Sequence, residues 1–439
     1  MSRIIIQNGN MCELDLPLKF AQKLYNEFAI RHPNAFYLRT RQRGMQNWDG
    51  KIHYITKTGQ FKIGLLPKVY DMCIEMGIKP KVVDMRQPLP KVSKVVTNIG
   101  KYKLRPEQEK AVKAVINNKI GNTPFHIGVL DYTVNAGKTL IMSSLYLSYK
   151  KQLKTLLITN DSDWLNQARE EFKQYLPGED ITFVQGKVLN WSNFTIGMVQ
   201  SISRNMRFYQ KELSQIDMVL IDEADQGGSK QYQNVITRLF NTRIRIGLSG
   251  TIYMSKLAKD RVKNMNLECF FGKVIAEFKL KDSIKKGYST KTVVKMVPGK
   301  PWYGNWESDC ISYKEIYDDS ITNCYTAWLM AYNRLLWNLN QGRYPALVVC
   351  KHIAHCENLY KFFKKKLGEA YNIAYVHVNT PSKLRQQIMK DFREGKIDIL
   401  VSTTIIARGK NFPKLRYLLN AASMDSQEKS IQFLGRLVR

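Results

Sequence analysis

The apolar run FHIGVL (125–130) leads through Asn135-Ala136-Gly137-Lys138-Thr139 into the helical stretch LIMSSLYLSYK (140–150). A strand that turns through glycine into a helix leaves backbone N–H groups open at the helix start. With a lysine beside them, those groups form a cradle for phosphate. The general pattern GxxxxGK[ST] carries a glycine where Tyr132 stands here, so the loop departs from it at the first position. On this reading Asn135, Ala136, Gly137, Lys138 and Thr139 hold the phosphates of a nucleotide, with the Thr139 hydroxyl turned to Mg²⁺. The bland alternative is a chance AGKT.

A second feature bears on that choice. Met218-Val219-Leu220-Ile221 is an apolar run ending in Asp222-Glu223, and Asp222 lies 84 residues beyond Lys138. A buried strand that delivers two carboxylates beside a phosphate loop suits nucleoside triphosphate hydrolysis. Asp222 would hold the Mg²⁺ and Glu223 would take the proton of the attacking water. A third feature closes the chain: Gln432-Phe433-Leu434-Gly435-Arg436-Leu437-Val438-Arg439. Arg436 and Arg439, three apart, share one helix face and suit stabilisation of transition-state charge on a γ-phosphate.

Around these motifs, short apolar runs alternate with amphipathic helical patterns. TLLIT, FTIGMV, DMVLID and RIRIGLS fall in the first set, and ALVVC, IAYVHV, IDILVST and LRYLLNA in the second. Such alternation predicts βαβ units and parallel sheets. The expected organisation is an N-terminal segment over 1–97, a first α/β lobe over 98–278 and a second over 279–439. The Pro-rich stretch from Pro80 to Pro90 reads as a linker, and 280–340 as less regular.

The charge balance points to the partner. Lys plus Arg exceed Asp plus Glu by 68 − 37 = 31, and the excess is spread along the chain. A field of that sign attracts nucleic acid; a membrane-surface patch would instead be local and amphipathic. Residues 1–100 alone hold 16 basic and 7 acidic residues. Within them Arg39, Arg41, Arg43 and Lys51 bracket Trp48, a basic–aromatic grouping able to hold phosphates and stack a base. The competing reading buries Trp48 in a small β-domain core.

Seven scattered cysteines without a CxxC pair read as reduced thiols. Cys350, His352, His355 and Cys356 lie close together, but no second ligand pair accompanies them, so zinc is not expected. With no signal peptide or long apolar run, a soluble, cytoplasmic protein is expected.

Taken in order, the motifs resemble those of superfamily 2 helicases, and the resemblance covers about 100–439. It implies an α/β fold of two tandem RecA-like parallel-sheet lobes, here preceded by a small α+β N-terminal domain, with ATP·Mg²⁺ in the cleft between lobes. Arg105 and Gln108 of Leu104-Arg105-Pro106-Glu107-Gln108 match the adenine-recognition motif. Thr159, Gln200, Ser201 and Thr251, in ITN, VQS and SGT, match motifs that touch the nucleic-acid backbone or couple it to hydrolysis. In the second lobe Lys351 and Thr403 are assigned to nucleic acid, Gly409 to nucleotide, and Gln432, Arg436 and Arg439 to catalysis.

Asn135 departs from the family's usual Gly or Ser, and Asn411 from its frequent Asp. The strand expected after the last motif would follow Arg439, where this sequence stops, so a truncated C-terminus is expected. SGT and QFLGRLVR differ from the forms usual in RNA helicases. The set, with Asn47-Trp48-Asp49-Gly50-Lys51-Ile52, resembles phage branch-migration helicases. The resemblance implies an ATP-dependent DNA helicase acting on forks or four-way junctions in recombination, replication and repair. The alternatives are an RNA-remodelling helicase and an ATP-gated DNA clamp that does not move.

Overall fold

The computed structural model describes residues 2–41, 45, 47–133, 135–149, 152–186, 188–252, 260–297, 312–404, 412 and 414–422. The chain divides into two compact units, Met1–Ser283 and Ile284–Arg439.

The first unit is built on an eight-stranded sheet. Its spatial order is Val188–Leu189, Ile181–Gln185, Phe194–Met198, Thr155–Thr159, Met218–Asp222, Ile244–Ser249, His126–Tyr132, Val274–Phe278. Every pairing is parallel except that of the terminal pair, Ile181–Gln185 with Val188–Leu189. The central strands are buried along their whole length, as expected of continuous apolar runs covered by helices on both faces. Because the strands are parallel, Tyr132, Thr159, Met198, Asp222 and Ser249 all end at one edge. That carboxyl edge is where ligands bind in open α/β sheets.

The N-terminal segment forms a four-stranded sheet in the order Gln60–Lys62, Met11–Asp15, Arg3–Ile6, Lys81–Asp84. Lys81–Asp84 pairs in parallel with Arg3–Ile6, so four of the eleven residues expected to be a linker form a sheet strand. The rest is clamped, since the Arg243 guanidinium donates to the carbonyls of Gln87 (2.9 Å) and Pro88. The apolar core runs without a break from Ile4, Cys12, Phe61 and Leu66 to Leu239, Phe270 and Phe271 of the larger sheet's layers.

Arg245 lies within that junction and is fully buried. Its terminal nitrogens donate to the Gly9 carbonyl (2.6 Å), Asn10 Oδ1 (2.8 Å) and the Phe270 carbonyl (3.2 Å). At Gly64 a Cβ would fall 2.1 Å from the Glu268 carbonyl oxygen, so only glycine permits the close approach there. The N-terminal sheet is thus welded to the first α/β layer and is not tethered to it by a free linker.

The second unit contains a fully parallel four-stranded sheet in the order Ile373–Val376, Ile399–Thr403, Ala346–Cys350, Tyr417–Asn420. Among the described residues of 280–340, Tyr325–Leu339 is more regular than its sequence suggests, a 15-residue helix whose Leu335 and Leu339 are buried. Among the described residues no helix is long and apolar enough to cross a membrane.

Candidate active site

The strand His126–Tyr132 delivers the phosphate loop to the carboxyl edge. Helix Lys138–Ser148 starts directly after Gly137, which takes the left-handed conformation at φ 71°, and no side chain caps the helix. The Leu140 N–H donates to the Gly137 carbonyl at 3.0 Å, and the N–H groups of Lys138 and Thr139 are the ones left to meet an anion. Asn135 is also left-handed, at φ 65°. Asparagine tolerates that region better than most residues, which rationalises its presence at this turn. Lys138 Nζ donates to the Tyr132 carbonyl at 3.3 Å, holding the ammonium over the loop. Tyr132 replaces the pattern's first glycine by burying its ring and donating its hydroxyl to the Glu107 carbonyl at 2.8 Å.

Gln108 is buried against the loop, its Nε2 donating to the Ala136 carbonyl and its Oε1 accepting from the Arg105 N–H, both at 2.8 Å. A Cβ on Gly137 would lie 2.3 Å from that Nε2. In this conformation the amide expected to read adenine is committed to the phosphate loop.

Asp222 ends the strand Met218–Asp222 and is 5% exposed. Burial pushes its carboxyl above the usual range, while the Lys138 charge pulls it back. Its Oδ1 has no hydrogen-bond partner, an expensive arrangement that a bound cation would repair. Glu223 follows at φ 52°. Asn135 and Glu223 are the two non-glycine residues with positive φ among the described residues, and they stand in the two motifs assigned to chemistry. Backbone strain of about 1–3 kcal/mol persists where surrounding structure imposes it, and it clusters at functional sites.

Asp225, given no role from sequence, connects the acidic turn to the next motif. Ser249 Oγ donates to Asp225 Oδ1 at 2.8 Å and accepts the Thr251 N–H at 3.1 Å, all three residues being buried. The signal was legible, because Asp225 is the third carboxylate of the acidic motif and Ser249 opens SGT.

Further along the edge, Thr159 Oγ1 accepts from the Asp161 N–H at 3.2 Å, and Gln200 Nε2 donates to the Asn160 carbonyl at 3.3 Å. Ser201 Oγ accepts from the Gly186 N–H at 2.9 Å. Asn160 Oδ1 and Gln200 Oε1 are buried without partners. Lys138, Thr139, Asp222, Glu223, Thr159, Gln200, Ser201 and Thr251 therefore share one edge of one sheet.

In the second unit Cys350 pairs with Thr403 in register, so Lys351 and Thr403 stand at the carboxyl ends of adjacent strands. Lys351 Nζ lies 5.1 Å from the Tyr317 ring centroid. Cys350, His355 and Cys356 are buried in that sheet's layers, and burial pushes the His355 imidazole down to about 4. In the N-terminal segment Trp48 is half-buried, its Nε1 donating to the Lys51 carbonyl at 2.9 Å, while the Lys51 side chain is exposed. Arg43, Gly409, Gln432, Arg436 and Arg439 lie outside the described residues.

Two families match the sequence. Residues 101–254 match "Type III restriction enzyme, res subunit" and residues 329–439 match "Helicase conserved C-terminal domain". The chain belongs to helicase superfamily 2. It is 21% identical to the "ATP-dependent DNA helicase uvsW" of Enterobacteria phage T4, over 90% of this chain and 79% of that protein. It is 23% identical to the Saccharomyces cerevisiae "Putative ATP-dependent helicase IRC3", over 76% of this chain but 49% of that one.

The solved UvsW helicase from bacteriophage T4 aligns with TM-score 0.50 and 20% identity, covering 63% of this chain and 99% of that chain. The DNA-bound restriction-modification enzyme LlaBIII aligns with TM-score 0.55 and 15% identity, covering 82% of this chain and 29% of that chain. These structures share the fold. As a superfamily 2 member the chain is an ATP-dependent helicase that binds nucleic acid.

Proposed function

We propose that this helicase acts on DNA, remodelling forks and four-way junctions with energy from Mg²⁺-dependent ATP hydrolysis. One observation carries the reading: phosphate loop, acidic turn and backbone-contact motifs converge on a single sheet edge, with a buried Asp222 oxygen left unpartnered. Lys138 and the open N–H groups of its helix neutralise the phosphates. Thr139 and Asp222 fit a Mg²⁺ ion, which when bound supplies charge neutralisation on the β/γ-phosphates. Glu223, held at its unusual backbone angle, takes the proton of the attacking water. Gln432, Arg436 and Arg439 serve the developing transition-state charge.

Thr159, Gln200, Ser201 and Thr251 grip one strand, and Lys351 and Thr403 do so from the second lobe. In the N-terminal domain Arg43 and Lys51 add phosphate contacts. Trp48, with its indole N–H already bonded, offers only a ring face. The net charge of +31 supports a nucleic-acid partner, and support for DNA comes from the phage relative, a DNA helicase by name, aligning over 90% of the chain. ATPase rates with single-stranded DNA, linear duplex, a four-way junction and single-stranded RNA test this directly. The junction should stimulate most and be dissociated; greater stimulation by RNA than by any DNA would overturn the reading.

A further inference from the structure

An open pocket of about 320 Å³ in the first unit is lined by Ser203, Arg204, Met206, Arg207, Gln210 and Arg238. Its position is set by topology. Helix Val199–Arg204 starts at the carboxyl edge, and Arg204 closes it as the chain returns toward the amino end of Met218–Asp222. Arg238 follows helix Lys230–Ile236 on the way to the amino end of Ile244–Ser249. Hydrogen bonds from Asn241 Nδ2 to the Ser214 carbonyl (2.6 Å) and from Thr242 Oγ1 to the Ile216 carbonyl (3.0 Å) tie these return segments together. A five-residue strand spans about 16 Å, so the amino ends of these strands, toward which the lining segments return, lie roughly that far from the carboxyl-edge motifs.

Three exposed guanidiniums gather there, and none makes an ion pair among the described residues. Arg207 instead stacks over the exposed Phe208 ring, 5.2 Å from its centroid. Like charges held together without a counter-charge repel, and the arrangement is relieved by an anion. Arginine's planar fork suits phosphate oxygens, and an adjacent aromatic suits a nucleic-acid surface. The pocket also adjoins the N-terminal sheet, because Asn10 Nδ2 donates to the Thr237 carbonyl (3.1 Å) and Gly9 N–H to the Phe240 carbonyl (2.6 Å), on either side of Arg238.

We infer that this three-arginine pocket grips the phosphodiester backbone of a second duplex arm, one not engaged by the carboxyl-edge motifs. The inference rests on the DNA reading above and names where a branched substrate gains contacts that a linear one lacks.

The test compares the full chain with R204Q/R207Q/R238Q, and with K364Q/K365Q/K366Q as a charge-matched control on another exposed face. Binding of a labelled four-way junction and of a linear duplex is measured across a salt series. The arginine variant should lose about tenfold on the junction, with a salt slope shallower by at least about one, and less than about twofold on linear duplex. DNA-independent ATPase and melting temperature should match wild type, and the triple Arg→Lys variant should retain most junction affinity.

Equal losses on both substrates, no loss, or the same loss in the lysine control would overturn the inference. So would unchanged junction binding accompanied by lost binding of inorganic phosphate, which would mark a small-anion site. If wild-type protein shows no preference for the junction, the branched-DNA reading itself fails, and that result needs no variant to recognise.

Discussion

Arg245 and Asp222 are buried charges on neighbouring strands of one sheet, and protein partners satisfy them to different degrees. Arg245 stands near the amino edge, opposite Val219 in register, with its terminal nitrogens bonded to three acceptors and only its Nε left without a partner. Asp222 stands at the carboxyl edge with one oxygen unpartnered and its proton affinity raised by burial. A buried charge that joins two layers is bonded by protein; a buried charge that serves a ligand keeps valence in reserve. The first stabilises the fold and the second costs stability until its ligand arrives.

The largest consequence concerns the N-terminal segment. Its strands share a core with Leu239, Phe270 and Phe271, and it supplies the acceptors for Arg245. Deletion of residues 1–97 should therefore leave no cooperatively folding first lobe, seen as loss of a thermal transition and of ATPase. A truncated protein that melts cooperatively and hydrolyses ATP would show that the junction is only a contact.

Single substitutions sharpen the contrast. Arg245→Ala should lower unfolding free energy by about 3–5 kcal/mol, because it strands buried acceptors and opens a cavity. Asp222→Asn should not lower it, and is expected to raise it at neutral pH. The folded carboxyl has a raised pKa, so its ionised form is disfavoured by folding, and a neutral amide removes that cost. Urea titrations of both variants check the pair, and equal destabilisation would erase the distinction.

His355 gives the second unit's counterpart. With its folded pKa near 4 and an unfolded value near 6.5, the unfolded chain binds the proton first as pH falls. Stability should drop between pH 6.5 and 4 and level off below. From pH 7 to 5 this group alone should cost about 2 kcal/mol. His355→Gln should remove that portion of the slope in denaturation curves, and an unchanged slope would place the titration elsewhere. Smallest of the set, Ser249→Ala should cost about 1–2 kcal/mol for the buried bond to Asp225, read from the same curves.

These contrasts also mark what the sequence reveals. Continuous apolar runs such as MVLID and ALVVC announce their strands, and the ordered motifs announce the carboxyl edge. Ile181–Gln185 and Val274–Phe278 do not, because strands toward the sheet's ends are only partly buried and carry mixed patterns. Lys81–Asp84 is masked by flanking prolines, which read locally as a linker although long-range pairing decides. Arg245 in RIRIGLS looks like a solvent-facing position. Only the tertiary arrival of Gly9 and Asn10 makes it an interior one. Gln108's bond to the phosphate loop is likewise a contact across 28 residues, beyond what a motif alone conveys.

The central claim is that the carboxyl edge, with Glu223 as the base, performs ATP hydrolysis. Its most direct test is single-turnover hydrolysis by Glu223→Gln beside wild type, with nucleotide affinity measured on the same samples. The amide can orient water but not accept its proton, so the rate should fall by about 10²-fold or more while ATP binds with near wild-type affinity. Hydrolysis near the wild-type rate would contradict the account.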